Sequence, residues 1–277
     1  MGRGVALMPY ARNALDGNRV YFEDDGSNGA PVVLHGGLVD SVDLVRGSNI
    51  AQALQELPEE FRLIYVDHRG VGRSDKPHEE EAYAMPLRAA DVVAVLDELG
   101  IERAHFIGNS WGGRLGFGIG EHAPERVLSL VIGGQQPYAI DPNGPIARAA
   151  RESLAESRRE GSLEPFVEML ESFAGGRLPE ELRERWLDND PVAIEAAWSA
   201  ALAEGAISED LRAWQIRCLI YVGSGDVDFQ DQARRAADEI PNAEFIALEE
   251  PDHVSAHLAQ VDPLLPAVLR TLRGNGG

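Results

Sequence analysis

The sequence predicts an α/β fold in which a mostly parallel, doubly wound sheet carries an inserted helical cap. Short apolar runs bounded by Gly, Asp or Pro alternate with segments of helical periodicity, as expected for a parallel sheet that is buried on both faces. One long interval interrupts this alternation and contains only helical patterns. The length of 277 residues and the hydrophobic content of 44% suit one core rather than two independent domains.

The chain begins with a predicted hairpin between residues 11 and 25, because Asp16-Gly17 separates two short strand-like runs. Six buried strands are expected after it, each a short apolar run, at residues 31–34, 63–66, 104–107, 127–132, 218–222 and 245–247. Helices are expected between and after them, at residues 50–57, 86–99, 112–122, 230–240 and 258–272. This alternation of strand and helix predicts the doubly wound sheet.

The interval that breaks the alternation extends from about residue 138 to residue 214. It contains no strand candidate and is rich in Ala, Leu and Glu. We interpret residues 138–214 as a helical cap inserted between two core segments, 1–137 and 215–277. The alternative is a simple extension of the scaffold helices, but an insertion of this size between consecutive strands commonly covers a site.

Composition limits the classes of partner. The formal net charge of −21 repels nucleic-acid phosphates and anionic lipid head groups. No apolar run reaches 18 residues, and the first twenty residues lack a basic start followed by an apolar stretch, so neither a membrane span nor a signal peptide is expected. Cys218, the single cysteine, lies in an apolar run that predicts a buried thiol. We expect a cytoplasmic protein with a small-molecule substrate and no nucleic-acid or membrane partner.

The strand at residues 104–107 runs directly into G-N-S-W-G-G at residues 108–113 and then into a helix. This is G-x-S-x-G between a strand and a helix, where the turn is so sharp that the central Ser110 is strained and only glycine two places away avoids a clash. Ser110 also precedes a helix, whose amide dipoles favour negative charge on a bound oxygen. We predict Ser110 as a nucleophile.

A serine hydroxyl needs a base and an orienting carboxylate. The strand at residues 218–222 leads through G-S-G to Asp226 at the carboxyl edge of the sheet, where sites form in open parallel sheets. His253 follows the last strand, so nucleophile, acid and base occur in a consistent order. Asp228 and His257 are the alternatives. We favour Asp226 because it directly follows the glycine turn, and His253 because it lies in a loop.

The turn H-G-G at residues 35–37 follows an early strand and can present a backbone N–H to a substrate oxygen. We assign the oxyanion hole to the amides of Gly37 and Trp111. Alone, H-G-G is equally consistent with a plain strand-to-loop turn, and the serine elbow favours the functional interpretation. The seven histidines lack the spacing of a zinc site, and we expect neither a metal nor a cofactor. Aromatic residues that could line a pocket, although such residues in helices more often pack in cores, are Trp111, Tyr138, Phe166, Phe173, Trp186 and Trp198.

Taken together with D-H-R-G-V-G-R-S-D at residues 67–75, these motifs resemble those of the α/β-hydrolase superfamily, in the usual order and over essentially the whole chain. The resemblance implies the α/β-hydrolase fold and a triad of Ser110, Asp226 and His253. Residues 67–75 look like the D-x-R-G-x-G-x-S turn of the superfamily, which in relatives is a structural loop beside the site rather than a catalytic element.

The elbow is similar to that of the meta-cleavage-product hydrolases, which break carbon–carbon bonds, and to that of proline iminopeptidases. However, the former usually carry tryptophan where this chain has Val254, and the Pro-Gly that continues the turn of the latter is missing. Haloalkane dehalogenases and epoxide hydrolases need a carboxylate nucleophile, so Ser110 argues against both. We therefore expect a carboxylesterase-like serine hydrolase. The alternatives are a carbon–carbon bond hydrolase and a non-catalytic small-molecule receptor on the same fold.

Overall fold

The computed structural model describes residues 9–174, 176–249 and 261–274. Their strands form one sheet in the order β1-β2-β4-β3-β5-β6-β7-β8. β2 is antiparallel to β1 and to β4, and every other pair is parallel. The strands are β1 Tyr10–Arg12, β2 Arg19–Asp24, β3 Ala30–His35, β4 Phe61–Val66, β5 Ala104–Asn109, β6 Val127–Gly133, β7 Arg217–Gly223 and β8 Ala243–Leu248.

Helices cover both faces of this sheet. In chain order they are α1 Val42–Arg46, α2 Asn49–Gln55, α3 Met85–Glu98, α4 Trp111–His122, α5 Pro145–Glu160, α6 Glu164–Phe173, α7 Glu180–Leu187, α8 Pro191–Ala203, α9 Val227–Glu239 and α10 Val261–Arg273. Neighbouring residues of β3 point to opposite faces: Val33 belongs to the core that contains residues of α3, α4 and α9, whereas Val32 and Leu34 belong to the core that contains residues of α1, α2 and α10. The two cores explain why the central strands β3, β5, β6 and β7 are largely apolar on both faces.

The predicted hairpin is present and is tied to the sheet by a buried polar network. β1 and β2 are joined by a turn that the Asn13 N–H closes on the Asn18 carbonyl at 2.9 Å. Asn13 Nδ2 donates to Asp91 Oδ1 of α3 at 2.7 Å. The Arg69 guanidinium, 1% exposed, pairs with both Asp91 and Asp16 at 2.7 Å. Because each buried charge has a partner, the network can hold the hairpin against α3 without leaving a buried charge unpaired.

Four helices, α5 to α8, stand between β6 and β7, and we refer to them as the cap helices. The fully buried Arg114 of α4 binds the segments that precede and follow the cap helices. Its guanidinium donates to the carbonyls of Gln136 and Tyr138 on the leading side, at 3.3 and 3.1 Å. On the trailing side it pairs with Glu204 at 3.1 Å. The cap helices are therefore fastened to the helix that begins at the predicted nucleophile.

The fold class predicted from the sequence is confirmed, and all six predicted strands are present. The last of them, β8, is only partly buried because it lies at the edge of the sheet. α1 was not predicted, because a helix of five residues is too short to show a clear period. Residues 258–260 of the last predicted helix lie outside the described residues. Cys218 is buried as expected, and burial raises the pKa of its thiol to about 12. Within the described ranges, the longest apolar helices are too short or too polar to cross a lipid bilayer.

Candidate active site

Ser110 stands at the turn between β5 and α4 with a strained backbone. Its φ of 51° and ψ of −112° make it the only non-glycine residue with positive φ in the part of the chain that the structure describes. The Ser110 N–H donates to the Gly133 carbonyl at 2.8 Å, and the Ser110 carbonyl accepts from the Arg114 N–H at 2.9 Å. These bonds hold the residue at the end of β5, at the N-terminus of α4. Strain of this kind is typical of functional sites.

The two glycines around the serine are required by close backbone contacts. A Cβ on Gly108 would lie 2.2 Å from the Gly112 carbonyl oxygen. A Cβ on Gly112 would lie 2.6 Å from the His35 carbonyl oxygen. Real side chains do not tolerate such distances to backbone atoms, so both positions need glycine. The elbow therefore packs directly against the end of β3.

Asp226 follows β7 and precedes α9, and its side chain is 5% exposed. It lines the same cavity as Ser110, so two of the three predicted catalytic residues meet at one edge of the sheet. The third, His253, and its alternative His257 lie outside the described residues. Asp228, the alternative acid, belongs to the first turn of α9. The assignment of the triad stays a prediction.

The predicted oxyanion amides differ in their surroundings. A Cβ on Gly37 would lie 3.7 Å from Ser110 Cβ, so the Gly37 peptide is close to the nucleophile. Its N–H donates to Asp40 Oδ2 at 2.8 Å. The Trp111 N–H, at the first position of α4, has no acceptor among the described residues. The role of both amides stays a prediction, and for Gly37 it requires that a substrate oxygen take the place of Asp40.

The cavity above Ser110 has a volume of about 340 Å³. The sheet side contributes Gly37, Asp40, Asn109, Ser110, Trp111, Gln135 and Asp226. The cap helices contribute a largely apolar wall that includes Ile146, Phe166, Met169, Leu170, Phe173, Trp186 and Trp198. Five of the six aromatic candidates thus line the cavity, whereas Tyr138 packs beneath the Arg235 guanidinium at 4.4 Å. Two carboxylates and no lysine or arginine belong to the described lining, which favours a neutral apolar ligand.

Three buried rings, those of His35, His68 and Trp111, pack beside the H-G-G turn and the serine elbow. The His35 and His68 rings lie 5.4 Å apart, and His68 lies 6.1 Å from the Trp111 ring. Burial lowers the pKa of His68 to about 4, and burial with the neighbouring His68 holds the pKa of His35 well below its usual range. Both rings are therefore neutral near pH 7. The Arg88 guanidinium lies over the Trp111 ring at 3.8 Å from its centroid, and burial lowers the pKa of Arg88 to about 9.

The loop at residues 67–75 is a structural element beside the site. The Asp67 side chain is fully buried and accepts from the Arg73 N–H at 2.8 Å. Ser74 Oγ donates to the Asp67 carbonyl at 2.6 Å and accepts from the Tyr21 N–H at 2.8 Å. Burial raises the pKa of Asp67. The loop thus joins the hairpin to the end of β4.

Two residues near the site were not singled out from the sequence, Asp40 and Arg88. Asp40 and Trp186 are hydrogen-bonded although 146 positions separate them. Arg88 lies in an otherwise ordinary amphipathic helix, where an arginine normally reaches solvent. Only the position of Asp40, close behind the H-G-G turn, could have drawn attention to it. Its partner could not have been found from local sequence.

A family model described as alpha/beta hydrolase fold matches residues 30–256, most of the chain. The chain belongs to this family. It is 30% identical to the putative carbamate hydrolase RutD of Caulobacter sp. (strain K31) over 233 residues, which cover 76% of this chain and 79% of the relative. It is 29% identical to the non-heme chloroperoxidase of Streptomyces lividans, covering 92% of this chain and 98% of that one. It spans only 33% of mouse epoxide hydrolase 4, at 30% identity over 128 residues.

Solved structures agree with the α/β-hydrolase fold. A thermophilic esterase from Thermogutta terrifontis superposes with a TM-score of 0.77 at 23% identity, covering 95% of this chain and 97% of the esterase. At this identity the likeness concerns the fold. Because members of the family carry out hydrolysis and other chemistry on the same scaffold, the reaction of this chain has to be argued from its site.

Proposed function

We propose that this α/β-hydrolase cleaves neutral carboxylic esters with an apolar acyl group through an acyl-enzyme intermediate. Ser110 is the nucleophile, His253 the general base and Asp226 the carboxylate that orients the imidazole. The observation that carries the proposal is the strained Ser110 elbow opening into an apolar cavity that Asp226 also lines. Family membership supports hydrolase chemistry independently.

In the proposed reaction, His253 removes the proton of the Ser110 hydroxyl as Ser110 attacks the ester carbonyl carbon. The Trp111 and Gly37 amides stabilise the negative charge on the carbonyl oxygen, and the alcohol leaves with the proton from His253. Water activated by His253 then releases the acid and regenerates Ser110. The apolar wall of the cap binds the acyl group, and the two carboxylates in the lining disfavour acyl groups that carry a negative charge.

The experiment is labelling with a fluorophosphonate combined with turnover of p-nitrophenyl esters. We expect stoichiometric labelling of the wild type, no labelling of Ser110→Ala, and a loss of about 10³-fold or more in kcat for that variant. Ser172→Ala is the matched control, because it removes an exposed hydroxyl from α6 of the cap and should change neither result. Wild-type turnover by Ser110→Ala would refute the assignment.

The same panel tests the alternatives. Hydrolysis of a dienoic diketone with little action on esters would identify a carbon–carbon bond hydrolase instead. Small-molecule binding with neither labelling nor turnover would identify a receptor. Fast ester hydrolysis without action on the diketone is the result that we expect.

A further inference from the structure

The turn at residues 36–40 is joined to the cap helices through one buried carboxylate. Asp40 Oδ2 accepts from the Gly37 N–H, and Asp40 Oδ1 accepts from the Trp186 Nε1–H, both at 2.8 Å. Asp40 is 3% exposed and Trp186 is 5% exposed, so water competes little for either bond. We refer to these two hydrogen bonds as the Asp40 bridge. The bridge connects the amide predicted to bind the substrate oxygen with α7 of the cap.

The rest of the turn restrains Asp40 in this position. The Asp40 N–H donates to the Gly37 carbonyl at 3.2 Å, and a Cβ on Gly36 would lie 2.5 Å from Asp40 Cβ. Asn189, just beyond α7, donates through Nδ2 to the Val39 carbonyl at 3.0 Å. The carboxylate is therefore held both by its own turn and by the cap.

This arrangement conflicts with oxyanion binding while the bridge is intact. A backbone N–H carries one hydrogen and cannot make two bonds of full strength. The Gly37 N–H must leave Asp40 before it can stabilise a tetrahedral intermediate. In addition, a carboxylate beside the Gly37 amide repels the negative charge that develops on the substrate oxygen. The bridge therefore opposes the reaction until it opens.

The cavity supplies a way to open the bridge. Asp40 and Trp186 both line it, next to the apolar side chains of α6. An acyl chain that fills the cavity contacts the indole whose N–H holds Asp40, whereas an acetyl group bound at Ser110 is too short to fill a cavity of about 340 Å³. Long acyl groups can thus displace Trp186 with the free energy of their own apolar contacts.

We propose that Asp40 is a positioning residue that keeps the Gly37 amide from the substrate until the acyl group displaces Trp186. The inference rests on the proposed ester hydrolysis. It makes the cap a selector that acts on kcat rather than only on binding, because the bridge must open on the way to the transition state. Short acyl esters bind but react slowly, and longer apolar acyl esters react faster.

The first test compares p-nitrophenyl acetate with p-nitrophenyl hexanoate. Trp186→Phe removes the indole N–H and keeps an aromatic ring, so kcat for the acetate should rise about three- to tenfold while kcat for the hexanoate changes by less than about twofold. Trp214→Phe is the control. Trp214 packs against Phe117 in the core, with ring centroids 6.3 Å apart, and is not among the described cavity-lining residues, so the ratio of kcat for the two esters should match the wild type.

Asp40→Asn tests the carboxylate itself. This variant keeps the side-chain shape and removes the negative charge, so kcat for the acetate should rise as in Trp186→Phe. The double variant should gain little beyond either single one, because both substitutions open the same bridge. A fall in kcat at every chain length in Trp186→Phe, an effect on KM alone, or the same effect in Trp214→Phe would overturn the proposal.

A second measurement separates this inference from the proposed function. The indole N–H signals of the four tryptophans are recorded by ¹⁵N NMR, with Trp186 assigned from its absence in Trp186→Phe. A hexyl fluorophosphonate adduct on Ser110 should shift the Trp186 signal, and a methyl adduct should leave it in place. Absence of any adduct refutes the proposed function and the inference with it. A hexyl adduct with an unmoved Trp186 signal refutes the inference alone.

Discussion

The carboxyl edge of the sheet and the cap helices line the same cavity by different physical means. At the edge, backbone atoms set the geometry: Ser110 has a positive φ, and Gly108 and Gly112 touch neighbouring carbonyls. In the cap, side chains on amphipathic helices form the wall, with Phe166 and Trp186 among them. Backbone geometry tolerates little substitution, whereas apolar side chains in a helix can be exchanged at modest cost. Under the proposed function, we therefore expect substitutions at the edge to impair the reaction itself and substitutions in the cap helices to change the preference for the acyl group.

Alanine substitutions of glycine should show the largest difference in activity loss between the sheet edge and the cap helices. Gly112→Ala puts a Cβ 2.6 Å from the His35 carbonyl oxygen, so the elbow must move. We expect kcat/KM for an ester to fall by about 10²-fold or more, since small displacements of a nucleophile have effects of this size. Gly161→Ala, after α5 of the cap, meets no atom within 4 Å and has only its φ of +69° to accommodate. It should cost about 1 kcal/mol of stability and leave kcat/KM unchanged.

Kinetics of the two alanine variants, with urea unfolding of each, check this prediction. Equal losses of activity in both would show that the edge is no more constrained than the cap. A Gly112→Ala enzyme with wild-type kcat/KM would contradict the rigid elbow.

A smaller effect is expected when the pH is lowered. Folding stability should fall because of His105, a buried histidine in the strand that leads to Ser110. His105 lies in β5, which leads to Ser110, and bonds Ser129 Oγ at 2.8 Å. Burial lowers the pKa of His105 from its usual 6.5 to about 4. The unfolded chain therefore binds the proton first, and between pH 6.5 and pH 4 stability falls as the pH falls. From pH 7 to pH 5 this histidine should account for about 2 kcal/mol of that loss.

Urea unfolding at pH 7 and pH 5 measures this effect. In His105→Gln, which can still hydrogen-bond Ser129, the loss of unfolding free energy between the two pH values should be smaller by about that amount. His122→Gln removes an exposed imidazole at the end of α4 and serves as the control. An identical pH dependence in wild type and His105→Gln would show that the ring is not neutral in the folded protein.

The smallest effect is expected at the rim of the cap wall. Phe173 lines the cavity but is 43% exposed, so only part of its ring can contact an acyl group. Phe173→Ala should lower kcat/KM for p-nitrophenyl hexanoate about fivefold, which corresponds to about 1 kcal/mol, mainly through KM. The acetate should be unaffected. An equal loss of kcat/KM for both esters would show that Phe173 affects the reaction itself rather than the binding of the acyl group.

The same contrast explains what the sequence could and could not predict. The Ser110 elbow was predictable because its requirements, a strand, a sharp turn and glycine on either side, are all local. The strands were predictable because burial on both faces makes each one a short apolar run. The contact between Asp40 and Trp186 was not, because it depends on how α7 packs over the turn, and no local period records that packing. The prediction of His253 falls on residues that the structure does not describe.

Arg114 has a consequence for how this architecture can vary. Its guanidinium donates to the backbone carbonyls of Gln136 and Tyr138 before the inserted helices and pairs with the Glu204 carboxylate after them. The two junctions are thereby held as neighbours by a residue of the core. Segments of very different length can therefore be grafted between them with little extra loop-closure entropy. We therefore expect the helices between the two junctions to tolerate insertions and deletions better than the sheet does.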